Sequence, residues 1–380
     1  MIYADYNATA PLRPAARNAM LAAFDVGANP SSVHGPGRAA RKVVETARAQ
    51  VGSAIGSRAS EVIFTGGGTE AAALALHGAV AALDGEATLL VSAIEHEAVA
   101  KNAGTSCAPI ETAYVDRDGR LDLDRLKARL ATWNVARDGT PILALMLANN
   151  ETGVIQPVAE AAAIVREAGG LTFCDAVQGL GKIPVNVALL GVDYLSLSAH
   201  KVGGPQGVGA LWLRAGAPLK PIQLGGGQEK SLRSGTENVA GIAGFGAASE
   251  ASVAELAQYD GLGPRRDAME ARLKREAGVV VAGEDAPRLA GVSNFACAGF
   301  RAETQVMALD LAGVAVSSGS ACSSGKVKRS LVLSAMGYDD ALAESAIRTS
   351  FGWKSQPGDF DAVAEAWLAA ARRTVLKESA

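Results

Sequence analysis

"DYLSLSAHKVGGPQGVGALWL", residues 193–213, sets two strand candidates, 193–198 and 209–213, around a lysine and a glycine-rich turn. Runs of this kind recur at 61–65 (EVIFT), 88–93 (TLLVSA), 141–148 (PILALMLA) and 171–175 (LTFCD). Strands that are apolar throughout belong to sheets covered on both faces. Helical patterns lie between them, for example at 69–83 and 158–169. The alternation predicts an α/β fold built on a mostly parallel sheet. Beyond about residue 235 the pattern changes. An Ala/Glu-rich stretch, 237–276, reads as one or two helices, and shorter strand candidates follow at 278–283, 292–298 and 346–352. This part reads as a smaller α+β domain.

The composition bounds the rest. At 380 residues, about half of them hydrophobic, the chain has length for two domains and a sizeable core. A formal charge of −3 gives no basic surface for nucleic acid. No apolar run is long enough to span a membrane, and "MIYADYNATAPLRP" lacks the pattern of a secretory signal. Four dispersed cysteines without a CxxC pair argue against a zinc site and for reduced thiols in the cytoplasm. Cys107, Cys174 and Cys297 lie in or beside apolar stretches and read as core residues.

In open α/β sheets ligands gather at the carboxyl ends of the strands. After 61–65 comes "GGGTE", in which Gly68 and Thr69 either open a phosphate-binding helix or form a turn with Thr69 as N-cap. After 88–93 comes His96, a capping or surface histidine unless a ligand meets it. After 141–148 come Asn149 and Asn150, explained by turn chemistry or by an amide reaching into a cleft. Asp175 ends the next strand, as a helix N-cap or as the partner of a protonated ring nitrogen. His200 and Lys201 follow 193–198, and a lysine there is either a surface residue or a desolvated, nucleophilic amine. Together these are the parts a pyridoxal phosphate site needs.

The sequence at this point resembles the cysteine desulfurases of the NifS/IscS type, class-V aminotransferase relatives that use pyridoxal 5'-phosphate. The resemblance rests on "DYNATAPLRP", "NPSSVHGPGR", "FTGGGTEAAALAL", "EHEAV", "ANNETGVIQP", "CDAVQGLGK", "SAHKVGGPQGVGALW", "GGGQEKSLRSGTEN", "SSGSACSSG" and "SAIRTSFG", in order along nearly the whole chain. It implies a type I aminotransferase fold. A large domain (13–250) would carry a seven-stranded sheet, and a small α+β domain would combine 1–12 with 251–380. It also implies roles. Lys201 resembles the lysine that bonds the cofactor and moves substrate protons. Asp175 resembles the partner of the ring nitrogen, Gln178 the donor to the ring's phenolic oxygen, and His96 the histidine stacked on the ring. Gly68, Thr69, Ser198 and His200 resemble phosphate ligands, joined by Thr236 from a neighbouring subunit, which implies a homodimer. Asn150 and Arg348 resemble the grip on the substrate carboxylate.

"VSSGSACSSGKVKRS" (316–330) places Cys322 among serines and glycines. By its residues alone this is an inert loop. By the resemblance, Cys322 takes sulfur from L-cysteine as a persulfide, alanine leaves, and an acceptor protein receives the sulfur. The length of this segment is closer to the NifS/IscS branch than to SufS-like relatives. Lys326, Lys328 and Arg329 stand where relatives often have a Leu-Glu-Pro-type stretch; they favour the thiolate, recruit an acidic partner, or simply start a solvated helix. The chain ends at "TVLKESA", without the tail by which housekeeping members engage an iron–sulfur scaffold. The acceptor is therefore open among a scaffold, a tRNA-thiolation relay and a molybdenum-cofactor enzyme. The rivals are transamination or selenocysteine lyase chemistry, which need no loop thiol, and a partner-binding protein with a dead site.

Overall fold

A computed structural model of the chain describes residues 1–318 and 329–374. Its centre is a seven-stranded sheet in the spatial order Val62–Thr65, Gly209–Leu213, Tyr194–Ser198, Leu171–Asp175, Thr140–Met146, Ala87–Ser92 and Ile110–Ala113. Only Gly209–Leu213 runs against its neighbours; the other pairings are parallel. The inner strands are buried almost throughout because both faces are covered. In Thr140–Met146, Leu143 and Leu145 join one core with Val44 and Val51 of helix Gly35–Ala54. Ile142 and Ala144 join another with Leu74 and Leu76 of helix Gly68–Ala82. The side chains thus divide by the two-residue period of a strand, with apolar residues needed on both sides.

Ile110–Ala113 is the strand without a sequence signal. It is an edge strand, mostly open to solvent, so "IETA" carries no apolar run. The stretch 237–276 forms three helices, Val239–Ala254, Leu256–Asp260 and Gly263–Ala277. The first packs on helices Pro14–Val26 and Gly35–Ala54, and the last contributes Met269 and Leu273 to a second core.

That second core, with Phe295, Ile347 and Trp367, lies under a four-stranded antiparallel sheet ordered Ser317–Ser318, Ala346–Ser350, Val292–Ala296 and Val280–Val281. The N-terminal Ile2–Tyr3 pairs with Val314–Ala315, and Asp5 bridges to Ser350. The segment that follows, at Asn7 and Ala8, thereby reaches Gln178 and Lys201 beyond the carboxyl ends of the central strands. Cys174 and Cys297 are buried, but Cys107 is exposed. It follows helix Glu97–Gly104 in a turn and has φ of 64°, a conformation for a turn and not for a packed core. Among the described residues no helix is long and apolar enough to cross a membrane.

Candidate active site

A cavity of about 770 Å³ opens at the carboxyl ends of the central strands. It takes in Gly68, Thr69, His96, Asn150, Asp175, Gln178, Ser198, His200, Lys201 and Arg348, ten of the residues singled out above. One end is a corner of close backbone contacts. A Cβ on Gly209 would stand 2.5 Å from the carbonyl carbon of Gly67, and one on Gly68 would stand 2.9 Å from Val177 Cγ2. The helix beginning at Gly68 has Gly67 as its N-cap and no side-chain cap, so Thr69 does not cap it. Its first amides and the Thr69 hydroxyl are left at the cavity with a favourable dipole for an anion.

The charged groups stand further along. Asp175 ends its strand with Oδ1 accepting from Val177 N and Ser196 Oγ, both at 3.0 Å. No helix follows it directly, so it is not a helix N-cap. His96 does cap a helix: Ala98 N donates to its Nδ1 at 3.0 Å. The neutral ring therefore carries its proton on Nε2. Burial lowers its pKa and the Lys201 charge adds to that, while Asp175 acts in the opposite direction. Lys201 sits in the turn Ala199–Lys201, and its Nζ donates to the carbonyls of Asn7 at 2.6 Å and Ala8 at 2.8 Å. Burial, with Lys201 and Lys182 nearby, brings His200 down to about 4; its Nδ1 lies 3.0 Å from Thr9 Oγ1.

The opposite wall is tied together by a residue of "DYNATAPLRP" that has no role assigned above. Asn7 donates from Nδ2 to the Asn150 carbonyl at 3.1 Å, and its own carbonyl accepts from Gln178 Nε2 at 3.0 Å as well as from Lys201. Arg348 donates to the same Asn150 carbonyl at 3.0 Å and pairs with Asp5 at 2.7 Å. Asn149, by contrast, is fully buried, accepting from Glu151 N and Thr152 N within its turn and donating to the Ile94 carbonyl at 3.2 Å. Buried Lys182 reaches Asn7 Oδ1 at 2.7 Å and also Gln178 Oε1.

Two carboxyls were also missed. Glu95 accepts from Met146 N at 2.5 Å, while its Oε2 is buried with no hydrogen-bond partner among the described residues. Burial, with Asp175 nearby, pushes its pKa well up. Glu151 accepts from Ser330 Oγ at 2.6 Å, and burial raises it to about 7. Both residues lie inside motifs quoted above, but the strand-end reading credited only their neighbours.

Thr236 is exposed and stands apart, at a smaller cavity of about 80 Å³ with Gly66 and Arg233. Cys322, Lys326 and Lys328 lie outside the described residues. Arg329 pairs with Asp340 at 2.5 Å.

The aminotransferase class-V family matches residues 2–363. The chain belongs to that family. It is 42% identical over 358 residues to "Cysteine desulfurase IscS" of Dictyoglomus turgidum, covering 92% of this chain and 89% of that one. It is 40% identical to "Cysteine desulfurase" of Cereibacter sphaeroides, covering 96% and 94%. Among solved structures, a NifS-like protein from Rickettsia africae superposes with a TM-score of 0.87 at 33% identity, over 97% of this chain and 99% of that one. The cofactor of this family is pyridoxal 5'-phosphate.

The residues present fit that group. The uncapped helix start and the glycine corner offer an anion site for its phosphate. Asp175 offers a carboxylate, Gln178 an amide and Lys201 an amine, all facing one cavity.

Proposed function

We propose that this chain is a cysteine desulfurase that converts L-cysteine to L-alanine and passes the sulfur to Cys322 as a persulfide. One observation carries the reading: Lys201, Asp175, His96, Gln178 and Arg348 share a single cavity with an uncapped helix start. Pyridoxal phosphate, when bound, supplies an electron sink for charge developing on the substrate carbons. Lys201 would hold it covalently, Asp175 would pair its ring nitrogen, Gln178 its phenolic oxygen, and His96 would cover the ring. Gly68, Thr69, Ser198 and His200 would hold the phosphate, with Thr236 contributed by a second copy in a homodimer.

The chain's own groups do the remaining work. Arg348, held by Asp5 and the Asn150 carbonyl, would orient the substrate carboxylate together with Asn150. The Lys201 amine would move the proton at the substrate's α-carbon. Neutral His96, with its proton on Nε2, would exchange protons with the substrate's polar groups. The Cys322 thiolate would then attack the substrate sulfur. An S–S bond forms as the C–S bond breaks, the electron pair stays on carbon, and protonation there yields alanine. The persulfide would go to an acceptor protein in the cytoplasm, for iron–sulfur cluster assembly or another thiolation.

The test is incubation with L-cysteine and a thiol reductant, with alanine and sulfide assayed together. Equal yields that vanish in Cys322→Ser are expected. Alanine formation that survives Cys322→Ser would point to a reaction of the same fold that needs no loop thiol.

A further inference from the structure

We propose that Lys182 is a positioning residue that fixes the Gln178 amide at the wall of the cavity. The inference rests on the reading that this cavity takes pyridoxal phosphate.

Lys182 is 8% exposed, an unusual place for a lysine. Its Nζ lies 2.7 Å from one end of the Asn7 amide and also meets one end of the Gln178 amide. Each amide turns its other end to a backbone carbonyl, which only an N–H can face, so the ends facing the amine are oxygens that accept its hydrogens. That settles the two amides. Gln178 then turns Nε2 to the Asn7 carbonyl at 3.0 Å, which uses one of its two hydrogens and leaves the other for the cavity. Asn7 likewise turns Nδ2 to the Asn150 carbonyl.

Burial depresses the amine well below its usual range, and the charges of Lys201 and Arg348 add to this. The two contacts need two N–H groups, which the amine has in either protonation state. Removing it leaves Gln178 Oε1 and Asn7 Oδ1 without that donor, and each amide keeps only one of the two contacts that orient it.

The experiment is a double-mutant cycle on the purified holoenzyme, with Lys182→Met, Gln178→Ala and the double variant. The readouts are the absorption band of bound pyridoxal phosphate and its dissociation constant, followed by fluorescence beside the melting temperature. Where Gln178 is present, Lys182→Met is expected to move the band and to weaken retention about tenfold. In the Gln178→Ala background it is expected to change retention less than twofold. Equal losses in both backgrounds, or no change in either, would overturn the role of Lys182 alone. A wild-type protein that takes up no pyridoxal phosphate would overturn the cofactor reading and this inference with it. If Lys182→Met does not fold, Lys182→Leu, which likewise has no donor, replaces it in the same cycle and is read the same way.

Discussion

In the seven-stranded sheet, Asp175 and Ser198 are the last residues of their strands and Lys201 lies three residues beyond Ser198. In the four-stranded sheet, Arg348 sits in the middle of Ala346–Ser350, paired across the ladder with Asn294 on one side and Ser317 on the other. The first arrangement is what a parallel sheet imposes: its interior is apolar, and chemistry collects where the strands stop. The second buries a guanidinium within a sheet and holds two of its three nitrogens from elsewhere, through Asp5 and the Asn150 carbonyl, while Nε has no hydrogen-bond partner among the described residues. One sheet carries its functional groups at its ends. The other needs groups from distant segments to make its own usable.

The largest effect that would break this contrast is at Lys201. Lys201→Ala should lower alanine formation by about 10³-fold or more while far-UV circular dichroism and the melting transition stay close to wild type. The lysine follows a strand that is complete without it, so its loss should not cost the fold. Activity close to wild type would remove the central sheet's claim to the chemistry.

Glu151 tests the junction between the sheets. Its carboxyl holds Ser330, the N-cap of helix Leu331–Ala335, and lies close enough to Arg348 to feel its charge. Folding raises its pKa from about 4.5 to about 7, so the native state binds a proton the unfolded chain has already released. The resulting stability is full below about pH 4.5 and is lost as pH rises towards about 7. The loss is on the order of 3 kcal/mol at most. Urea denaturation at pH 5 and pH 8 should show a smaller difference in Glu151→Gln than in wild type. An unchanged difference would mean that the carboxyl is not protonated in the folded protein.

His96 sharpens the same contrast from the central side, because it both caps a helix and faces the cavity. His96→Asn keeps a capping side chain and removes the ring. Stability should move by less than about 1 kcal/mol, since asparagine is a good N-cap. Turnover should fall about 10²-fold. Loss of stability with retained activity would make the histidine a structural cap only.

Strand-end chemistry was readable because it is local. An apolar run followed by Asp175, or by His200 and Lys201, is a pattern within a few residues. Asn7 and Lys182 carry no such pattern. Asn7 acquires its meaning only when the N-terminal segment crosses to Gln178 and Lys201, more than 170 positions away. Lys182 stands four residues after Gln178, but a lysine in a turn reads as exposed until the packing buries it. The edge strand Ile110–Ala113 failed for the converse reason, since exposure removes the apolar signal on which the other strands were found. Arg348 was placed through the resemblance of "SAIRTSFG". Nothing in that strand's own alternation marks it as a ligand-facing residue.

Arg348→Lys is the smallest of these changes, and it bears on the second sheet most directly. The guanidinium reaches Asp5 Oδ1 through Nη2 and the Asn150 carbonyl through Nη1. A lysine keeps the charge but has a single nitrogen, which cannot hold both supports and still present two parallel N–H groups to a carboxylate. The KM for L-cysteine should rise about tenfold, which corresponds to one charge-assisted hydrogen bond, with a smaller change in kcat. The cofactor band should stay in place, because the residues proposed to hold it belong to the other sheet. A KM within twofold of wild type would mean that charge alone suffices there. The supports from Asp5 and Asn150 would then serve the fold and not the substrate, and the two sheets would differ only in where their polar groups are buried.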